Sequence, residues 1–197
     1  MEAEKQAGPV LLDEESLPAN FGVIEVHVDR INRLFNSLDP SPFRERDLDP
    51  KAESFIMESG GEFHADQPLA LIVHLDQLNC TADETRALRD AIHAYFAERA
   101  RSTRRRLRDL FRVGRKSLII SVLFMAAVTA SQGLLSQWLG KDTYFSALRE
   151  SLVIAGWVAL WRPLEIFLYD WWPIRAEAKL YDRLADMLVR VVQASGN

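Results

Sequence analysis

SLIISVLFMAAVTASQGLLSQWLG, Ser117 to Gly140, holds 24 residues between Lys116 and Lys141 with no charged side chain. As a helix it would measure about 36 Å, enough to cross a hydrocarbon core of about 30 Å. A buried helix of a soluble domain usually keeps a polar stripe, so the run reads as a transmembrane helix over 117–139. Everything else in the chain is placed by its relation to this segment.

Toward the C-terminus a second apolar stretch, SLVIAGWVALW (Ser151–Trp161), has only 11 residues between Glu150 and Arg162. That is about 16 Å of helix, too short to cross alone. Extension to Tyr169 gives 19 residues and about 28 Å, but it takes Arg162, Pro163 and Glu165 into the bilayer. Trp171 and Trp172 then fall where an interfacial aromatic belt belongs, with Trp138 at the far end of the first span. The reading is a second transmembrane helix over 151–172, joined to the first by an external loop over 140–150. The alternative ends the span near Trp161 and lays 163–172 on the membrane surface. With Asp170 taken as the interface, Arg162 lies about 12 Å inside, where it needs a partner; Glu165 at i+3 is in reach, and Pro163 leaves the Ala159 carbonyl open to a second interaction. Arg162, Pro163 and Glu165 therefore form the candidate intramembrane polar site.

Toward the N-terminus the first span is preceded by ERARSTRRRLRDLFRVGRK (Glu98–Lys116). Residues 99–116 carry 9 Lys/Arg against Asp109 alone, whereas residues 1–98 carry 20 Asp/Glu against 8 Lys/Arg. The connection 140–150 carries only Lys141 and Arg149, whereas Arg175, Lys179 and Arg183 follow the second span. This Lys/Arg bias puts both termini on the cytoplasmic side of an inner (plasma) membrane, with the two spans as a helical hairpin, and 19 Arg against 5 Lys points to a bacterial source. Arg101, Arg104, Arg105, Arg106, Arg108, Arg112, Arg115 and Lys116 are the candidate contacts for anionic lipid headgroups. The cluster abuts the bilayer, lacks interleaved aromatics apart from Phe111 and follows an acidic domain, which argues against nucleic acid.

The remainder reads as one cytosolic α+β domain of about three strands, divided by the hairpin. Residues 1–20 form a disordered acidic tail. In 21–98, GVIEVHV (22–28) alternates as a half-buried strand. Asp29 is placed to cap a short helix bearing Ile31, Leu34, Phe35 and Leu38; Ser41-Pro42 and Asp49-Pro50 each open a further helix, the second stopped at Gly60-Gly61. PLALIVHL (68–75) is the second strand, and Thr81 with Glu84 forms a capping box for a helix carrying Leu88, Ile92, Tyr95 and Phe96. No proline interrupts 69–162, so this helix can continue through the basic juxtamembrane segment 99–116 into the membrane, bending at Gly114. Residues 173–197 supply a helix and a closing strand, MLVRVVQ.

No phosphate-binding glycine loop, nucleophile elbow or zinc-binding spacing occurs. A single cysteine, Cys80, excludes an internal disulfide and reads as an inert thiol. His27 and His74 fall on outward strand faces, where adjacent strands could pair them as metal ligands or as an acid and a base; two solvated positions is the simpler reading. FRERDLD (43–49) lacks the glycine and terminal glutamate of a calcium loop. The expectation is a non-enzymatic membrane-anchored protein, without cofactor or metal, acting through homo-oligomerisation or a membrane-protein partner. The alternative is a subunit of an oligomeric channel or transporter with Arg162 and Glu165 in its path, and an enzyme acting on lipid or nucleotide ranks third.

Overall fold

The computed structural model describes residues 20–36, 46–76, 81–138 and 143–193, and side chains within these except at 132–146, 148 and 149. The acidic tail, the Ser41-Pro42 helix start and Cys80 lie outside the described residues. The chain divides into two units, Met1–Arg101 with Glu177–Asn197, and Ser102–Ala176.

The first unit is built on β1 (Gly22–Val28), β2 (Leu69–Leu75) and β3 (Leu188–Gln193), all parallel in the order β1-β2-β3. Apolar residues at alternate positions face one side: Ile24 and Val26 on β1, Leu71, Val73 and Leu75 on β2, Val189 on β3, all buried. Helix α1 (Pro50–Glu62), the start of α2 (Ala82–Trp138) and the end of α4 (Trp171–Ala185) close over that side through Ile56, Leu88, Ile92, Phe96 and Leu184. Sequential strand order with crossovers of one hand puts α1, the start of α2 and the end of α4 on the same face. The other face carries Glu25, His27, Ile72, His74, Arg190 and Val192.

Local signals explain most boundaries. Asp49 accepts from the Lys51 amide at 2.9 Å, capping α1 with Pro50 at its first position. At the start of α2 the Thr81 amide donates to Glu84 and the Glu84 amide to Thr81, a reciprocal box. Two expectations fail here. Asp29 caps nothing; it pairs with Arg33 at 3.4 Å, and the predicted helix is one 3-10 turn, Ile31–Arg33, held by burial of Ile31, Leu34 and Phe35. Gly60-Gly61 does not stop α1, which runs to Glu62; Gly60 is small because Leu184 and Leu180 press against it, a Cβ there lying 3.3 Å from Leu184.

The second unit comprises the rest of α2, then α3 (Thr143–Glu165), a π-helical turn (Ile166–Asp170) and the beginning of α4. α2 runs unbroken to Trp138, so Gly114 is not a bend; it is a point of close approach, where a Cβ would lie 2.8 Å from Ile166. The segment expected as a loop, 140–150, is helical from Thr143, because nothing in TYFSALRE breaks a helix once it has begun. Two helices are long and apolar enough to cross a membrane, and in each only 17% of the apolar window is buried, unlike the core helix of a soluble domain.

Candidate functional site

Pro163 lies inside α3 and has no N–H to give the carbonyl four residues back, that of Ala159. The Ser121 hydroxyl supplies the missing donor from α2, at 2.7 Å, with Ser121 itself only 4% exposed. The open carbonyl expected from the sequence is thus closed by a helix-to-helix hydrogen bond. Below it Gly114 meets Ile166 and Phe167, and Phe111 packs near Phe167 and Trp171 with centroids 6.1 and 6.3 Å away; above it Gly156 meets Met125. These contacts fix an antiparallel register in which Ser121 is level with Ala159 and Gly114 with Ile166.

Two residues beyond the proline, after Glu165, the α ladder gives way to the π turn and resumes at Trp171. The π turn widens it, and the Trp171 indole N–H donates to the Phe167 carbonyl at 2.9 Å. Such turns commonly mark functional positions within helices. On the outer side of this turn Arg162 reaches Glu165 at 2.9 Å and Asp170 at 3.4 Å. The expected Arg162–Glu165 pair is present; Asp170, which had been read only as the interface, joins it. One guanidinium faces two carboxylates, so the cluster keeps one formal negative charge. Pro163 is buried, while the side chains of Arg162 and Glu165 are 62% and 43% exposed.

The eight basic residues named above are all exposed along α2. Arg101 pairs with Glu98 at 3.3 Å and Arg112 with Asp109 at 2.8 Å. Trp171 is half-buried against the π turn and Trp172 exposed, their rings 5.6 Å apart edge-on. The side chain of Trp138 is outside the described residues.

In the first unit His27 and His74 are direct neighbours in the β1–β2 register, their rings stacked at 4.3 Å and 7°. Glu25 lies 3.6 Å from His74 Nε2, within ion-pair range but too far for a hydrogen bond, so that nitrogen has no hydrogen-bond partner. No group of three metal-ligating side chains converges among the described residues. His93, which has no evident partner in the sequence, bonds the Met187 carbonyl at 2.9 Å.

A polar assembly not foreseen from the sequence ties α1, α2 and α4 together. Glu53, 14% exposed, accepts from Arg99 at 2.8 Å and from the Tyr181 hydroxyl at 3.0 Å, and Arg99 also donates to Tyr95 at 3.0 Å. Burial, then the Glu53 carboxylate, pushes the Tyr181 phenol up to about 12, and the same two causes raise Tyr95. Tyr95 and Arg99 sit at i, i+4, a visible helical pair; Glu53 and Tyr181 are 46 and 128 residues from their partners, so no local pattern marks them.

No family model, curated protein or solved structure matches the chain.

Proposed function

We propose that the protein is a membrane-anchored, non-enzymatic module: a sheet-containing cytoplasmic unit carried on a two-helix transmembrane hairpin and working through self-association. The observation that carries this reading is the Ser121–Ala159 hydrogen bond. It joins two apolar helices at the one point where a proline would leave a backbone carbonyl unsatisfied in hydrocarbon, where each such group costs several kcal/mol. The basic run 99–116 supports a cytoplasmic position for both termini, with anionic headgroups as its ligands.

The register of the hairpin also revises the depth of the polar site. With Lys116 at the cytoplasmic interface, Glu165 is level with Arg115, and Arg162 lies only about 3 Å inside that interface. On this placement the cluster belongs to the headgroup boundary, where an arginine costs far less than at mid-membrane, and a path for ions along Arg162 and Glu165 loses its main support.

Two measurements test the reading. Protein anchored by the hairpin stays in the membrane pellet after alkaline carbonate. A cysteine moved to Thr143 in a Cys80→Ser background reacts with an impermeant maleimide in intact cells, whereas Cys80 does not. Release by carbonate, or labelling of Cys80 from outside, refutes it.

A further inference from the structure

We infer that the hairpin self-associates head to tail, the α2 face of one copy receiving the α3 face of the next; this rests on the membrane reading above. On α2, Arg115, Ile119, Val122, Ala126 and Thr129 recur at i, i+4, i+7, i+11 and i+14, one helical face, and all are exposed. Its upper part is an open groove of about 570 Å³, lined by Val122, Met125, Ala126, Thr129 and Ala130 with Leu160 as a wall. On α3 the same spacing gives Ile154, Val158, Trp161 and Glu165, with Ile154, Val158 and Trp161 60%, 68% and 71% exposed.

Copies in one membrane are related by rotation about its normal, which preserves depth. Two faces can therefore meet only if complementary residues lie at the same level. Extending the Ser121–Ala159 register by the common helical rise places Ala126 level with Ile154, Val122 with Val158, Ile119 with Trp161 and Arg115 with Glu165. Ala126, which lines the groove, thus stands opposite the bulkier Ile154, and a small residue at such a level lets membrane helices approach closely.

Charge selects the neighbour. Arg162 is held by both Glu165 and Asp170, so one carboxylate remains unbalanced. At the level of Glu165 the α2 face of a second copy offers Arg115, in line with Ile119 and Val122, with Lys116 one residue on as a further exposed cation. Asp170 keeps Arg162 neutralised while Glu165 bridges to that arginine. The contact joins two different surfaces, so it propagates from copy to copy and closes into a ring where the rotation allows.

The test uses full-length protein in membranes, Cys80→Ser throughout, with Val122→Cys and Val158→Cys on copies bearing tags of different size. A short bis-maleimide should link the two variants when co-expressed, link neither to itself, and give a ladder of oligomers when both substitutions are in one chain. Arg115→Glu should cut the mixed dimer about tenfold, and Glu165→Arg on the other copy should restore it. Val122→Cys homodimers would mean a two-fold contact instead, and absence of any cross-link would mean that lipid chains fill the groove; either overturns the inference. Carbonate extraction of the same membranes separates the two failures: retained but uncrosslinked protein refutes only the head-to-tail contact, and released protein refutes the anchoring.

Discussion

Replacing Ser121 by alanine removes one hydroxyl, yet its effect should depend on a residue of the other helix. In the native chain the Ala159 carbonyl has Ser121 as donor because Pro163 cannot serve. Ser121→Ala leaves that carbonyl buried and unpaired, a loss of about 1–2 kcal/mol by model-peptide estimates for hydrogen bonds between membrane helices, with measured averages nearer 0.6. Pro163→Ala restores an N–H at position 163 and lets the helix satisfy Ala159 internally. In that background Ser121→Ala should cost about 0.5 kcal/mol or less, its hydroxyl being redundant. The coupling energy of the cycle is therefore expected at about 1 kcal/mol, or roughly a fivefold change in the unfolding equilibrium. Reversible unfolding in mixed micelles, followed by far-UV circular dichroism with increasing SDS, measures all four corners. Additive effects within 0.3 kcal/mol would show that Ser121 does not answer the proline, and the account of the hairpin contact would fall.

Gly114→Ala should destabilise the same unit by about 1–3 kcal/mol, since its Cβ would meet Ile166 at 2.8 Å, and Ile166→Ala should recover part of the loss. Arg162→Gln, which leaves two carboxylates together, should lower the melting temperature in detergent more than Glu165→Gln, after which Asp170 still balances the arginine. In the first unit, Tyr181 titrates near 10 unfolded and about 12 folded, so the folded state holds its proton more tightly. Its contribution is complete below pH 10 and lost as pH rises toward 12. Tyr181→Phe should flatten the stability profile in that window and cost about 1 kcal/mol at neutral pH, since Glu53 loses one donor and keeps Arg99. Deleting 187–197 should expose the β2 edge and produce aggregation and faster proteolysis; an unchanged digestion pattern would contradict the sheet.

The elements were legible where a local rule acts alone. Alternation gave β1 and β2, a short β-branched apolar run gave β3, the Thr81–Glu84 box gave the start of α2, and the absence of proline gave its continuity through the basic segment. Parallel pairing was not legible, because it depends on which way the chain returns between strands, by way of α1 from β1 to β2 and of α2 to α4 from β2 to β3. Gly60 and Gly114 misled for a related reason. Glycine reads as a stop or bend in one dimension, but both positions are set by side chains approaching from other elements. At the polar site the sequence supplied Arg162, Glu165 and the open Ala159 carbonyl; it could not supply Ser121, whose role depends on the register between two helices. Asp170 was missed because the π turn, which no pattern announced, brings it back toward Arg162.

The order of the strands along the chain has a consequence for synthesis. β2 ends at Leu75 and its neighbour β3 begins at Leu188, with both apolar helices between them. A ribosome adding about 5–20 residues per second needs about 6–23 s to cover that interval. Through that time one edge of β2 waits without its strand while both apolar helices are made. On the membrane reading proposed above, the sheet is completed only after its anchor has left the ribosome, so a finished sheet reports that the anchor has been made.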